Sequence, residues 1–83
     1  MNPLEGTTYT QKVLDQMGQD IYHGFPSSID TLPTAGDAST ITGGDGIPRT
    51  LVRLPGAING EAGDYEWIID QDGTVNHRYF NTR

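Results

Sequence analysis

The two histidines of the chain are its best candidates for acid–base chemistry. Histidine is the only side chain whose unperturbed pKa lies near neutral pH, so His23 and His77 could each serve as a general acid or base. His77 falls in a predicted strand, where it could instead stack on Trp67 as part of the core. His23 falls in an irregular aromatic segment, where it could instead bond a backbone carbonyl. The sequence leaves both alternatives open.

Arginines supply the second kind of chemistry. Arg49 and Arg53 lie four residues apart in a predicted strand, so their side chains share one face. Together they could clamp a phosphate and stabilise its transition-state charge, or they could protect an edge strand from unwanted pairing. Arg78 directly follows His77 and is expected on the opposite face of its strand, unless that strand bulges.

Metal and nucleotide motifs are missing from the chain. It has no cysteine. The run Gly43-Gly44-Asp45-Gly46 lacks the lysine of a phosphate-binding loop, and Asp70-Gln71-Asp72-Gly73 lacks the downstream glutamate of a calcium loop. Both runs are typical of turns. We therefore predict no metal site, no cofactor and no disulfide partner.

Length and charge restrict the class of protein further. With 83 residues and a net charge of −6, the chain is predicted to form one domain and to repel nucleic acid over most of its surface. The charge is uneven, because residues 1–46 carry a single cation whereas residues 47–83 carry four arginines. An anion-binding site is therefore expected in the second half. No apolar run is long enough for a membrane span, and the N-terminus lacks the pattern of a signal peptide.

Local patterns predict the elements that must position these residues. Apolar spacing and capping threonines predict a helix over 7–17, which Gly18 ends. Residues 27–30 are expected to be extended, and 31–48 to form a loop-rich segment or a pair of short edge strands. Strands are predicted at 49–54, 65–69 and 74–80. The fold class is therefore α+β, with one or two short N-terminal helices followed by a three- to four-stranded antiparallel sheet.

The register of the last hairpin decides which side chains meet. Its Asp-x-Asp-Gly turn predicts a type I turn with a bulge, which pairs Asp70 with Thr74 and places Trp67 opposite His77. A two-residue loop would instead place Glu66 opposite His77. We favour the first register because it gathers the apolar residues on one face.

Motifs along most of the chain resemble those of a known family. They include Asn2-Pro3-Leu4, Tyr22-His23, Gly43-Gly44-Asp45-Gly46, Leu54-Pro55-Gly56, Tyr65-Glu66-Trp67-Ile68 and Asn76-His77-Arg78. Together they resemble the C-terminal toxin tips of bacterial polymorphic toxins of the Rhs and contact-dependent-inhibition types. The order of helix and antiparallel sheet also resembles the small ribonuclease architecture of barnase and colicin D.

This resemblance implies an activity and a set of residues. Ribonucleases of this architecture cleave RNA without a metal, so the chain is expected to be a metal-independent endoribonuclease. The catalytic candidates carried over are His23, Arg49 and His77. The substrate-binding candidates are Lys12 and Arg78, together with Arg53 from the strand argument above.

The resemblance also implies partners and a location. The expected partners are an RNA substrate, with tRNA among the candidates, and a cognate immunity protein. The domain would be secreted as the C-terminal part of a larger effector and act in the cytoplasm of the target cell. The rival prediction is a non-enzymatic acidic binding module, such as an immunity or inhibitor protein that blocks a basic partner by charge complementarity.

Overall fold

Five strands form one mixed sheet in the computed structural model, which describes residues Met1–Arg83. In chain order the elements are β1 (Thr8–Tyr9), α1 (Gln11–Met17), β2 (Ala38–Thr42), β3 (Pro48–Ile58), β4 (Glu61–Ile69) and β5 (Thr74–Thr82). The strand order is β1-β5-β4-β3-β2, and only the β1–β5 pair is parallel. The α+β class is confirmed, with five strands instead of three or four. Neither α1 nor the short 3₁₀ helices could cross a membrane.

The predicted helix is confirmed over a shorter range. Thr10 caps it, since its hydroxyl accepts a hydrogen bond from the Val13 N–H at 3.3 Å, and Gly18 ends it. Residues Thr8–Tyr9 form β1 instead of the first helical turn. The N–H of Thr10 donates to the Val75 carbonyl at 3.1 Å, so this segment satisfies the otherwise free edge of β5.

The connection between α1 and β3 differs from the prediction in two places. Residues 27–30 are not extended, because Ser27–Thr31 form a 3₁₀ helix, and a second one spans Ala35–Asp37. The loop-rich segment 31–48 contains one edge strand, β2, which pairs with β3. One of the two expected edge strands is therefore present.

Strand β3 continues beyond its predicted end at Leu54. Asn59 and Gly60 have φ values of 50° and 81°, as a two-residue hairpin turn of type I′ requires, so β3 and β4 pair up to that turn. Pro55 is tolerated because β2 pairs with β3 only as far as Val52. Beyond Val52 one side of β3 is a free edge, where a residue without an N–H loses no ladder bond.

The core lies on one face of the sheet. Its buried side chains are Leu4, Phe25, Val52, Tyr65, Trp67, Ile69, Val75 and Phe80. The alternate residues of β3, β4 and β5 point to the opposite face, which we call the site face. Its central side chains are Leu51, Arg53, Glu66, Ile68, His77 and Tyr79.

The register of the last hairpin is right at the turn and wrong beyond it. The Asp70 N–H donates to the Thr74 carbonyl at 2.8 Å, which confirms the predicted pairing. Trp67, however, pairs with Arg78 and not with His77. The prediction therefore fails within a few residues of the turn.

A β-bulge explains the failure. The pairing of β4 with β5 shifts by one residue at Asn76, whose side-chain amide donates to the Asp70 carboxylate at 2.7 Å. An extra residue exchanges the two faces for all the positions that follow. Arg78 consequently enters the core, and His77 turns to the site face.

Candidate active site

Glu66 occupies the centre of the site face. It lies on β4 and is 9% exposed, between Arg53 of β3 and His77 of β5. Its Oε1 lies 3.6 Å from His77 Nε2, and its Oε2 lies 3.4 Å from Arg53 Nη2. The Asn81 amide donates to Oε2 at 3.5 Å. A carboxylate, an imidazole and a guanidinium thus meet on one surface.

The strand register produces this cluster. Arg53 pairs directly with Glu66, and Glu66 pairs directly with Tyr79 on the other side. Directly opposed residues have their Cβ atoms about 4.5–5.5 Å apart, so their side chains must interact. His77 lies opposite Ile68, two residues along β4 from Glu66, and reaches Glu66 diagonally. The site is therefore built on paired strands, which hold side chains more firmly than loops do.

Several charges act on His77. Partial burial lowers its pKa below the ordinary value of 6.5, because an imidazolium is poorly solvated there. The Glu66 carboxylate opposes this effect, and the positive charges of Lys12 and His23 add to it. The imidazolium of His77 is therefore an acid that gives up its proton more readily than a free histidine.

The two predicted histidines lie on the same side of the sheet, with Tyr79 between them. The Tyr79 ring centroid is 4.8 Å from that of His23 and 6.2 Å from that of His77. The Nδ1 atom of His23 lies 3.0 and 3.1 Å from the two carboxylate oxygens of Asp20, and this hydrogen bond lowers the pKa of Asp20. His23 is thus oriented by Asp20, with Nε2 on the other side of the ring, and does not touch Glu66.

Arg49 lies apart from this cluster. Its Nε donates to Asp70 Oδ1 at 2.6 Å and its Nη2 to Asp45 Oδ2 at 2.8 Å. These two carboxylates raise the pKa of Arg49, and they tie the β2–β3 loop to the β4–β5 turn. The structure therefore places Arg49 in an ion-pair network at the end of the sheet, where its charge is already neutralised.

Arg78 lies on the core side of the sheet. Its Nη1 donates to the His23 carbonyl at 2.8 Å, while its Nη2 donates to Asp30 Oδ1 and the Phe25 carbonyl, also at 2.8 Å. The guanidinium carbon lies 3.6 Å from the centre of the Phe25 ring. The side chain is fully buried, so in this structure a substrate on the site face does not reach it.

Glu66 is the residue that sequence reasoning missed. A glutamate in an alternating strand is expected on a solvated face, and the favoured register placed it away from His77. Only the alternative register, with a two-residue loop, placed Glu66 opposite His77 and so pointed to Glu66. In the structure the bulge at Asn76, and not a two-residue loop, brings Glu66 and His77 together.

Comparisons with family models, with curated proteins and with solved structures found no match for this chain. The resemblance to polymorphic toxin tips therefore stays a prediction. No group of histidine and carboxylate side chains is arranged to hold a metal ion. What the site offers is the cluster of Glu66, His77 and Arg53.

Proposed function

We propose that this protein is a ribonuclease in which Glu66 is the general base, His77 the general acid and Arg53 the phosphate-binding cation. The observation that supports the proposal is the contact of one nearly buried carboxylate with both an imidazole and a guanidinium on a single sheet face. RNA cleavage requires a base, an acid and a cation for the transition state, and these three side chains supply them.

The reaction we propose is an internal transphosphorylation. Glu66 takes the proton of the ribose 2′-hydroxyl, and the 2′-oxygen forms a bond to phosphorus while the bond to the 5′-oxygen breaks. The imidazolium of His77 gives its proton to that leaving oxygen. The products are a 2′,3′-cyclic phosphate and a 5′-hydroxyl, with Glu66 protonated and His77 neutral.

Arg53 is better suited than Arg49 to meet the phosphate. Its side chain is 53% exposed and has a single carboxylate neighbour, Glu66, whereas Arg49 is bound by two. When substrate binds, the Arg53 guanidinium would exchange one anionic partner, the Glu66 carboxylate, for another, the phosphate. The proposal thus gives Arg53, a substrate-binding candidate by sequence, the catalytic role for which the resemblance suggested Arg49.

The biological setting we propose follows from the resemblance to toxin tips. RNA cleavage in a target cell would stop growth, and a cognate immunity protein would protect the producing cell. The rival proposal, an acidic binding module, rests on the net charge of −6. A binding module does not require an imidazole beside a nearly buried carboxylate. We therefore favour the enzyme because His77 contacts Glu66.

Incubation of the purified chain with RNA in the presence of EDTA tests the activity directly. We expect fragments that end in 2′,3′-cyclic phosphate, because the attacking group is the 2′-hydroxyl of the substrate. DNA of the same sequence should stay intact, since it lacks that hydroxyl. RNA that remains whole at high enzyme concentration, with or without EDTA, would overturn the proposal.

The pH dependence of cleavage should report His77. The acid must be protonated and its pKa is lowered, so kcat/KM should fall as the pH rises through a midpoint below 6.5. Replacing Lys12 by glutamine removes a charge that lowers this pKa, so the midpoint should move to higher pH. Initial rates between pH 4 and 8 check both directions. A midpoint above 7, unmoved by Lys12→Gln, would contradict the assignment of His77 as the acid.

A further inference from the structure

Two donor side chains near His77 have no partner within the protein. Each of the four arginines has a carboxylate within 4.0 Å, whereas Lys12 has none. The hydroxyl groups of Tyr9, Tyr22 and Tyr65 donate to protein acceptors, whereas the Tyr79 hydroxyl makes no hydrogen bond. Lys12 is thus the one lysine or arginine side chain without a carboxylate partner, and Tyr79 is the one tyrosine whose hydroxyl has no partner. The Tyr79 ring lies 6.2 Å from that of His77, and the Lys12 charge acts on His77.

The fold brings these donors to one side of His77. The bond from Thr10 to Val75 joins the start of α1 to β5, so Lys12, the second residue of the helix, lies beside the strand that carries His77. The Tyr79 ring lies between His77 and His23, and the His23 Nε2 makes no hydrogen bond within the protein. These groups border the β5 side of His77, while Arg53 borders the β3 side of Glu66.

Donors that are free of protein partners and gathered at one edge of the sheet are chemically suited to an anionic ligand. A lysine is a point charge suited to phosphate, and a phenolic hydroxyl donates well to a phosphate oxygen. Arg53 already serves the scissile phosphate in the function proposed above. The donors on the β5 side are two strands away from Arg53, too far to share one phosphate group in a single contact.

We propose that Lys12, Tyr79 and His23 bind a second phosphate, the one adjacent to the scissile phosphate in an RNA strand. The inference rests on the proposed function. It defines the substrate as a strand with at least two consecutive phosphates. A dinucleoside with a single phosphate should therefore be a poor ligand.

Binding of short 2′-deoxy analogues tests the second site without any cleavage. The probes are a dinucleoside monophosphate and the same molecule with an extra terminal phosphate at its 5′ or its 3′ end. One of the two extra phosphates should tighten binding about tenfold, as expected for a charge-assisted hydrogen bond. Lys12→Gln should abolish most of that gain, and Tyr79→Phe should reduce it. Arg83→Gln is the matched control, because Arg83 is exposed and follows the end of β5, and it should keep the gain.

The outcomes separate the two proposals. Equal affinity of the wild-type protein for all three probes, or a gain that persists in Lys12→Gln, would overturn the second phosphate site. The ribose versions of the same probes then report cleavage. If the extra phosphate tightens binding through Lys12 and yet no ribose probe is cut, the ribonuclease proposal fails while the phosphate site stands. If the ribose probes are cut but the extra phosphate does not tighten binding, the ribonuclease proposal stands and the second phosphate site is overturned.

Discussion

Replacing Glu66 by glutamine is expected to lower kcat/KM for RNA by about 10²- to 10⁴-fold, the usual contribution of a general base. Glutamine keeps the shape of the side chain and can still accept the hydrogen bond from the Asn81 amide, so the fold should persist. It cannot take the proton of the 2′-hydroxyl. Initial rates on a fluorescent oligoribonucleotide, with thermal unfolding of the same samples, measure the two effects separately.

Glu61→Gln is the matched control for this substitution. Glu61 begins the same strand and accepts a hydrogen bond from the Tyr22 hydroxyl at 3.0 Å, far along β4 from His77. The chemical change is identical, and kcat/KM should stay within about twofold, as expected for a charge outside the site. Full activity of Glu66→Gln would show that another group takes the proton. His23, oriented by Asp20, would then be the next candidate.

The sequence predicts the elements that depend on local interactions. The helix cap at Thr10 and the pairing of Asp70 with Thr74 each follow from a few neighbouring residues, and both are present. The bulge at Asn76 could not be predicted in this way. It is held by a side-chain bond to Asp70, which also binds Arg49 from another strand. Tertiary contacts of this kind decide the register, and the register decides which residues form the site.

The site residues show the same limit. Arg49 and Arg53 are equivalent by residue type and strand position, and only the resemblance made Arg49 the catalytic candidate of the two. Their neighbours differ because the β2–β3 loop brings Asp45 to Arg49, whereas the pairing of β3 with β4 brings Glu66 to Arg53. His77 was predicted from its chemistry alone, yet its place on the site face depends on the bulge. Residue type identifies candidates, and long-range pairing selects among them.

Arg78 shows how far burial can change a predicted role. By resemblance it is a phosphate-binding residue, but its guanidinium joins β5 to the segment 23–30 through two carbonyls and the Asp30 carboxylate. Removing one member of a buried ion pair leaves the other charge unpaired, which typically costs about 3–5 kcal/mol. That is a large part of the total stability of a small domain, which is often near 5 kcal/mol.

Replacing Arg78 by methionine is therefore expected to lower the free energy of unfolding by about 3–5 kcal/mol and to leave much of the protein unfolded at 37 °C. Urea titration followed by Trp67 fluorescence measures this, because Trp67 is fully buried beside Arg78. Arg83→Met removes an exposed arginine paired with Asp64 and should cost less than about 1 kcal/mol. Should Arg78→Met fold as stably as the wild type but lose RNA binding, Arg78 would be the phosphate ligand that the resemblance implies. The segment 23–30 would then have to open for the substrate.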